Sequence, residues 1–127
     1  MESITEDPTN PTPWVNLGNL SRNAPNSGAG LMNPKRYYEK SWQVKPNYLA
    51  AFALGESAFK ADDFLIAADW YQKAVSERPW DIDALYNRAL SLLSAGRVNE
   101  ARSACEELLE QYPNDRETKK LLRKCQP

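Results

Sequence analysis

The feature that most constrains the fold of this chain is a set of residues that recurs at an interval of 34 positions. In each copy an alanine is followed four positions later by a residue suited to a helix interior, and eight positions after that by a proline. The matching positions are Ala67, Tyr71 and Pro79 in one copy and Ala101, Cys105 and Pro113 in the next. Repetition at this interval indicates a small unit that is stacked several times along one axis.

A looser copy comes earlier, with Trp14, Leu17 and Gly18 at its start and Tyr38 and Pro46 after them. The interval, the Trp-x2-Leu-Gly start, the middle in which an alanine is followed four positions later by an aromatic residue, and the closing proline resemble the tetratricopeptide repeat, a helix-turn-helix unit. The resemblance covers residues 14–125. It implies an all-α fold, a right-handed α-solenoid of three helix pairs closed by a C-terminal solvating helix. It also implies that the small residues Gly18, Gly55 and Ala89 lie where the two helices of each pair touch.

Proline, glycine and acidic residues set the expected boundaries of these units. We predict an extended or disordered arm over residues 1–13, three repeat units at about 14–47, 48–81 and 82–113, and a capping helix with a tail over 114–127. The two later units are regular, and their helices are expected near 48–61, 64–77, 82–95 and 98–111. The first unit holds a turn-rich loop from Asn23 to Met32, after which Asn33 and Pro34 predict the start of a helix that ends near Val44.

The segment after Pro113 has the pattern of a final amphipathic helix. Asn114 and Glu117 have the spacing of a capping box, which predicts that this helix begins at Asn114. One face would carry Thr118, Leu121, Leu122 and Cys125, and the other would carry Lys119, Lys120, Arg123 and Lys124. The end of a stacked array needs a polar outer face, and this segment supplies one.

The composition argues against catalysis. The chain has no histidine, which removes histidine zinc sites and every pairing of serine or cysteine with a histidine base. It also lacks a glycine-rich phosphate loop and metal-ligand spacing, so we expect no enzyme activity, no cofactor and no metal. The two cysteines, Cys105 and Cys125, are too few for a disulfide framework. Cys105 is expected to be a small buried residue, and whether it pairs with Cys125 stays open.

Charge and targeting signals limit the compartment and the kinds of partner that we expect. The N-terminus lacks the apolar segment of a signal peptide, and no apolar run approaches the roughly 20 residues that span a bilayer. We therefore expect a cytoplasmic protein without a membrane partner. Residues 48–115 hold 12 acidic and 6 basic side chains, whereas residues 116–127 hold five basic and one acidic. The basic residues of the last helix predict a solvated face rather than a nucleic-acid site, because the acidic body would oppose a phosphate backbone.

The resemblance places binding on the concave side of the array, which the first helix of each pair would form. Residues three or four positions apart on those helices, displaced from the core set, define what we call the concave wall. Its members are Val15, Asn19, Arg22, Phe52, Glu56, Phe59, Tyr86, Leu90 and Leu93. The wall is mostly apolar, and an exposed apolar groove favours a binding surface. The alternative is that neighbouring helices bury these side chains between themselves.

Members of this family that hold the acidic C-terminal tails of heat-shock chaperones use a clamp of lysine, arginine and asparagine. The positions that match the clamp are Val15, Asn19, Ala53, Asp83 and Asn87. Only Asn19 fits, and Asp83 would repel a carboxylate, which argues against that activity. We expect instead an interaction module that binds a peptide segment of another protein, as an adaptor, scaffold or chaperone. Two alternatives remain, which are client binding similar to that of type III secretion chaperones and a self-associating structural protein such as a homodimer.

Overall fold

The computed structural model describes residues 10–23 and 34–126, and these residues form seven helices and no strand. The helices are α1 (Thr12–Asn23), α2 (Pro34–Val44), α3 (Tyr48–Lys60), α4 (Phe64–Glu77), α5 (Ile82–Ser94), α6 (Val98–Gln111) and α7 (Arg116–Lys124). Each helix packs most extensively on the helices before and after it in the sequence, as expected for a solenoid. The predicted three helix pairs and final helix are confirmed.

The predicted helix bounds agree with the structure to within two residues. The four helices from α3 to α6 end within one residue of expectation, because prolines and internal turns mark their limits. The first helix begins at Thr12, two residues before the predicted start of the first repeat unit at about residue 14. Residues 1–9 of the predicted arm and most of the predicted loop from Asn23 to Met32 lie outside the described residues, as does Asn33. The division into repeat units stays a prediction.

Three helices begin with a cap whose side-chain oxygen accepts a hydrogen bond from the backbone N–H three residues later. The caps are Asn47 for α3, Asp81 for α5 and Asp115 for α7, at 2.9, 3.3 and 3.0 Å. Such a cap satisfies a backbone donor that has no partner inside the helix. Because the three caps stand 34 positions apart, the interval that places the core residues also places the helix starts.

The capping box predicted at Asn114 is wrong. Asp115, one residue later, caps α7, and its carboxylate accepts both from the backbone N–H of Thr118 and from the hydroxyl of the same residue. Glu117 does not form the reciprocal half of a box, since its carboxylate lies 3.7 Å from the ammonium of Lys120. The 34-residue interval from Asp81 identifies Asp115 correctly, whereas the local spacing of Asn114 and Glu117 does not.

The two helices of the first and second pairs meet where a tyrosine ring lies against a glycine. A Cβ atom placed on Gly18 would stand 2.6 Å from the ring of Tyr38, and one on Gly55 would stand 2.8 Å from the ring of Tyr71. Both rings are buried. In the third pair, the buried Ala89 and Cys105 occupy the equivalent places in one core cluster. The predicted role of the small residues at the helix contacts is therefore confirmed for these two glycines.

The last helix packs its apolar face on the third pair. Thr118, Leu121 and Cys125 are buried, and the guanidinium of Arg102 on α6 donates a hydrogen bond of 2.8 Å to the carbonyl of Cys125. The basic residues Lys119, Lys120, Arg123 and Lys124 are exposed on the opposite side. This arrangement places a charged surface at the end of the array, as predicted.

Candidate binding groove

The first residue row of the concave wall runs through Val15, Phe52 and Tyr86. Val15 is only 4% exposed and belongs to a core cluster with Tyr38 and Leu54, so it offers little surface to a partner. Phe52 is half-buried, and its ring centroid lies 5.5 Å from that of Tyr48 and 5.4 Å from that of Tyr71. Tyr86 is also half-buried and packs against the core of the third pair. Each ring is thus partly covered by neighbouring core side chains.

The second row runs through Asn19, Glu56 and Leu90, all of which are half-buried. The side-chain oxygen of Asn19 accepts a hydrogen bond of 2.6 Å from the hydroxyl of Tyr38, which ties this polar residue to the first pair. Burial raises the pKa of Tyr71, and the nearby carboxylate of Glu56 raises it further. Leu90 packs against the core cluster of the third pair.

The third row runs through Arg22, Phe59 and Leu93. The side chain of Arg22 lies outside the described residues. The ring of Phe59 packs edge-on against Phe64 at 5.0 Å, and Leu93 packs against the core cluster of the third pair. Both of these side chains are half-buried. Seven of the nine wall residues therefore keep part of their surface accessible. Five of these seven also pack against neighbouring side chains, namely Phe52, Phe59, Tyr86, Leu90 and Leu93.

Sequence reasoning missed a depression of about 200 Å³ between α5 and α7. We call it the acidic depression, and its lining residues are Ile82, Asp83, Tyr86, Asp115 and Glu117. Asp83 and Glu117 are exposed, whereas Asp115 is half-buried. Burial raises the pKa of Tyr86, and the carboxylates of Glu117 and Asp115 raise it further. The hydroxyl of Tyr86 thus lies in a region of negative potential.

The signal that could have revealed this depression is the same 34-residue interval. Leu49, Asp83 and Glu117 stand 34 positions apart, each two residues after a helix cap. This row lies one helical turn before Phe52 and Tyr86, on the same side of the first helices. Leu49 is 50% exposed. The row extends the concave wall toward the helix starts and gives it an acidic end.

The described residues also form larger depressions, the first of which shares Ile82 and Asp115 with the acidic depression. One of about 360 Å³ is lined by Ile82 and by the turn residues 111–115. The other, of about 520 Å³, lies at the internal turns and is lined by residues 62–66 with Ser94 and Ala95. Within the described ranges, no group of three or more cysteine and carboxylate side chains is placed to hold a metal ion. In the same part of the chain, no helix has the length and apolar character needed to cross a bilayer.

The tetratricopeptide repeat family matches residues 58–125, which is more than half of the sequence. The chain belongs to the tetratricopeptide repeat family. The predicted family is therefore confirmed. No curated protein sequence matches the chain significantly.

Solved structures of this family share the fold. The first repeat domain of Spaghetti (RPAP3) bound to the HSP90 peptide SRMEEVD has a TM-score of 0.75 at 21% identity, over 94% of this chain and 92% of that one. The second repeat domain of human RPAP3, in complex with the HSP70 peptide SGPTIEEVD, has a TM-score of 0.74 at 16% identity, over 91% and 97%. A crystal structure of MamA has a TM-score of 0.73 at 21% identity, over 98% and 77%.

Proposed function

We propose that this protein is an interaction module that binds a peptide segment of a partner protein along its concave wall. In this role it would serve as an adaptor, scaffold or chaperone rather than as an enzyme. The observation that carries the proposal is the partly exposed row of aromatic and apolar side chains on the first helices, centred on Phe52 and Tyr86. Two solved structures of similar fold hold peptides, which supports the same mode of binding.

The packing of the wall favours binding because side chains that are already held in place need not become ordered when a partner binds. Phe52 is held between Tyr48 and Tyr71, and Tyr86 is held against the third pair. Side chains that are already fixed lose little conformational entropy when a ligand covers them. Aromatic anchors of this kind dominate many interfaces and cost about 2 kcal/mol or more when they are truncated.

The proposed compartment is the cytoplasm. Cys105 and Cys125 are free, buried thiols. Thiols of this kind persist in reducing compartments, where disulfides are rare.

A library of displayed peptides tests the proposal and requires no candidate partner. The bait is the full chain, and ligands that it enriches are then measured by fluorescence anisotropy. Leu49→Gln changes an exposed leucine of the wall, and Leu65→Gln changes a leucine of α4 away from the wall, with exposures of 50% and 47%. We expect the first change to weaken binding several-fold and the second to leave it unchanged.

The double change Phe52→Ala and Tyr86→Ala extends this test to the aromatic anchors. Circular dichroism and a melting curve must accompany it, because both rings also contact the core. The wall is not the binding site if Leu49→Gln and Leu65→Gln behave alike, or if the folded double variant binds as the parent does. A library that yields no specific ligand contradicts the proposed function itself.

A further inference from the structure

We infer that the concave wall selects peptides that place a lysine or arginine side chain in the acidic depression and apolar residues over Tyr86 and Phe52. This inference rests on the proposed function, since it names the chemistry of the peptide that the wall would bind. The depression, at about 200 Å³, adjoins the aromatic row and is lined by three carboxylates, an isoleucine and the ring of Tyr86. A basic side chain with a long alkyl stem suits such a surface.

The three carboxylates that line the depression differ in how free they are to contact a bound cation. Asp83 is exposed and forms no ion pair or hydrogen bond with another described residue. Glu117 pairs with Lys120 at 3.7 Å, but both side chains are largely exposed, so this pair contributes little and can be exchanged for another cation. Asp115 is engaged with Thr118 and contributes mainly its charge. Asp83 and Glu117 are therefore the expected contacts of a bound cation.

The ring of Tyr86 supplies the other half of the recognition. It packs against the third pair and lines the depression beside the carboxylates. A lysine ammonium or an arginine guanidinium near an aromatic ring gains a favourable electrostatic contact, and its alkyl stem covers apolar surface at the same time. The raised pKa of Tyr86 has burial as its first cause and the carboxylates of Glu117 and Asp115 among the others. It is consistent with a negative potential that reaches the ring.

The same charges disfavour the acidic peptides that similar structures hold. The peptides SRMEEVD and SGPTIEEVD both end in two glutamates, a valine and an aspartate. On this wall they would meet Asp83 and Glu117, and like charges brought together across an interface cost affinity. The one clamp residue that matches, Asn19, already accepts a hydrogen bond from Tyr38. The negative charge of this wall thus favours basic peptides, whereas those two complexes hold acidic ones.

Peptide libraries with one fixed residue provide the first measurement. Acetylated and amidated octapeptides, each pool with lysine, arginine, glutamate, norleucine or citrulline at one position, are bound to the full chain. We expect the lysine and arginine pools to be enriched over the glutamate pool. A selected arginine peptide should bind about ten-fold more tightly than its citrulline counterpart at low salt, and the difference should shrink as salt screens the charges.

Charge-neutralising variants locate the effect. Asp83→Asn with Glu117→Gln should abolish most of the preference for arginine over citrulline. Asp69→Asn with Glu106→Gln removes the same charge from exposed positions on α4 and α6 and should leave the preference intact. Asp115 is kept because it caps α7. Circular dichroism confirms that each variant retains its helices.

The outcomes separate this inference from the proposed function. Peptides that depend on Leu49 but show no preference for basic residues overturn the inference and leave peptide binding intact. A preference that survives Asp83→Asn with Glu117→Gln overturns the assignment to the depression. The basic last helix of a second copy is the competing occupant. A salt-sensitive dimer in sedimentation equilibrium that the same variant disrupts would show self-association at this site and would contradict the inference.

Discussion

At the scale of single residues, the pair contacts show how side-chain size is distributed between two helices. Glycine faces tyrosine at the contacts of Gly18 with Tyr38 and Gly55 with Tyr71. In the third pair, Ala89 takes the place of the glycine and Cys105 takes the place of the tyrosine. A residue larger than glycine on the first helix is thus accompanied by one smaller than tyrosine on the second. The alanine gains one methyl group, and the smaller side chain of the cysteine leaves room for it, whereas a tyrosine ring in that place would be overpacked.

Gly55→Ala tests this account. The added methyl group would stand 2.8 Å from the buried ring of Tyr71. We expect a net loss of about 1–2 kcal/mol in the free energy of unfolding, because overpacking outweighs the better helix propensity of alanine. Urea unfolding measures the effect. In a double-mutant cycle, Gly55→Ala should cost less in a Tyr71→Cys background. If Gly55→Ala unfolds like the parent, the contact is looser than described.

The internal turns offer a second test at the residue scale. Asp62 and Gly96, 34 positions apart, both have positive φ angles of 61° and 83°. Glycine adopts this conformation without a steric penalty, whereas a side chain disfavours it. We expect Asp62→Gly to raise the free energy of unfolding by up to about 1 kcal/mol and Gly96→Ala to lower it by a similar amount. A Cβ on Gly96 would meet no atom within 4 Å, so a loss of stability in Gly96→Ala would come from the backbone conformation alone. An unchanged free energy of unfolding would contradict this explanation.

Buried thiol chemistry predicts how stability depends on pH. Burial, and then the adjacent Cys125, raise the pKa of Cys105 from 9.0 to about 12. The unfolded thiol ionises above about pH 9 while the folded one stays protonated, so the contribution of Cys105 to the free energy of unfolding is fully present below pH 9 and is lost as pH rises toward 12. The slope is on the order of 1 kcal/mol per pH unit. Urea unfolding in a reducing buffer measures it, and Cys105→Ala should flatten the decline between pH 9 and 10. An equal decline in that variant would assign the effect to other groups.

At the scale of helices, the last helix completes the third pair. It covers part of the core cluster that contains Cys105 and Leu92, and Arg102 is hydrogen-bonded to its C-terminal end. Its remaining surface is polar and exposed. A helix of nine residues has little stability alone, so its order depends on this contact.

Deletion of residues 114–127 should lower the melting temperature and speed the reaction of Cys105 with a thiol reagent. The deletion uncovers the third pair and removes the helix that shields the thiol. The matched control is Lys119→Gln with Lys124→Gln, which alters only exposed side chains and should change the free energy of unfolding by less than about 0.5 kcal/mol. Slow labelling of Cys105 in the truncated chain, together with an unchanged melting curve, would show that the last helix is not a cap.

Sequence and structure agree most closely where a residue type has a single physical role. Pro79 and Pro113 each follow the end of a helix by two residues, and Gly55 is needed because Tyr71 leaves no space for a side chain. The cap at Asp115 is harder to recognise because Asn114 beside it is equally suited to capping. The sequence alone offers two candidates there, and only the register with Asp81 distinguishes them.

At the scale of the whole molecule, the concave wall could be predicted only in outline. Helical spacing places Val15 and Phe52 in one row, but the depth to which each is buried depends on how closely neighbouring repeats approach. Val15 is core because Tyr38 and Leu54 close over it. The 34-residue interval aligns Asp83 with Glu117, but the distance between them depends on the position of α7 relative to α5, which the packing of three helices determines.

The helix caps have a consequence for the shape of the array. The side-chain amide of Asn47 donates to the hydroxyl of Ser41, and Asp81 accepts from the hydroxyl of Tyr48, so each residue joins its own helix to the preceding unit. The same side chains that start a helix therefore also connect successive repeats. We expect the curvature of the array, and with it the width of the opening presented to a ligand, to depend on these joints. Proteins built on this interval could change the size of what they hold by altering a single junction while every helix stays intact.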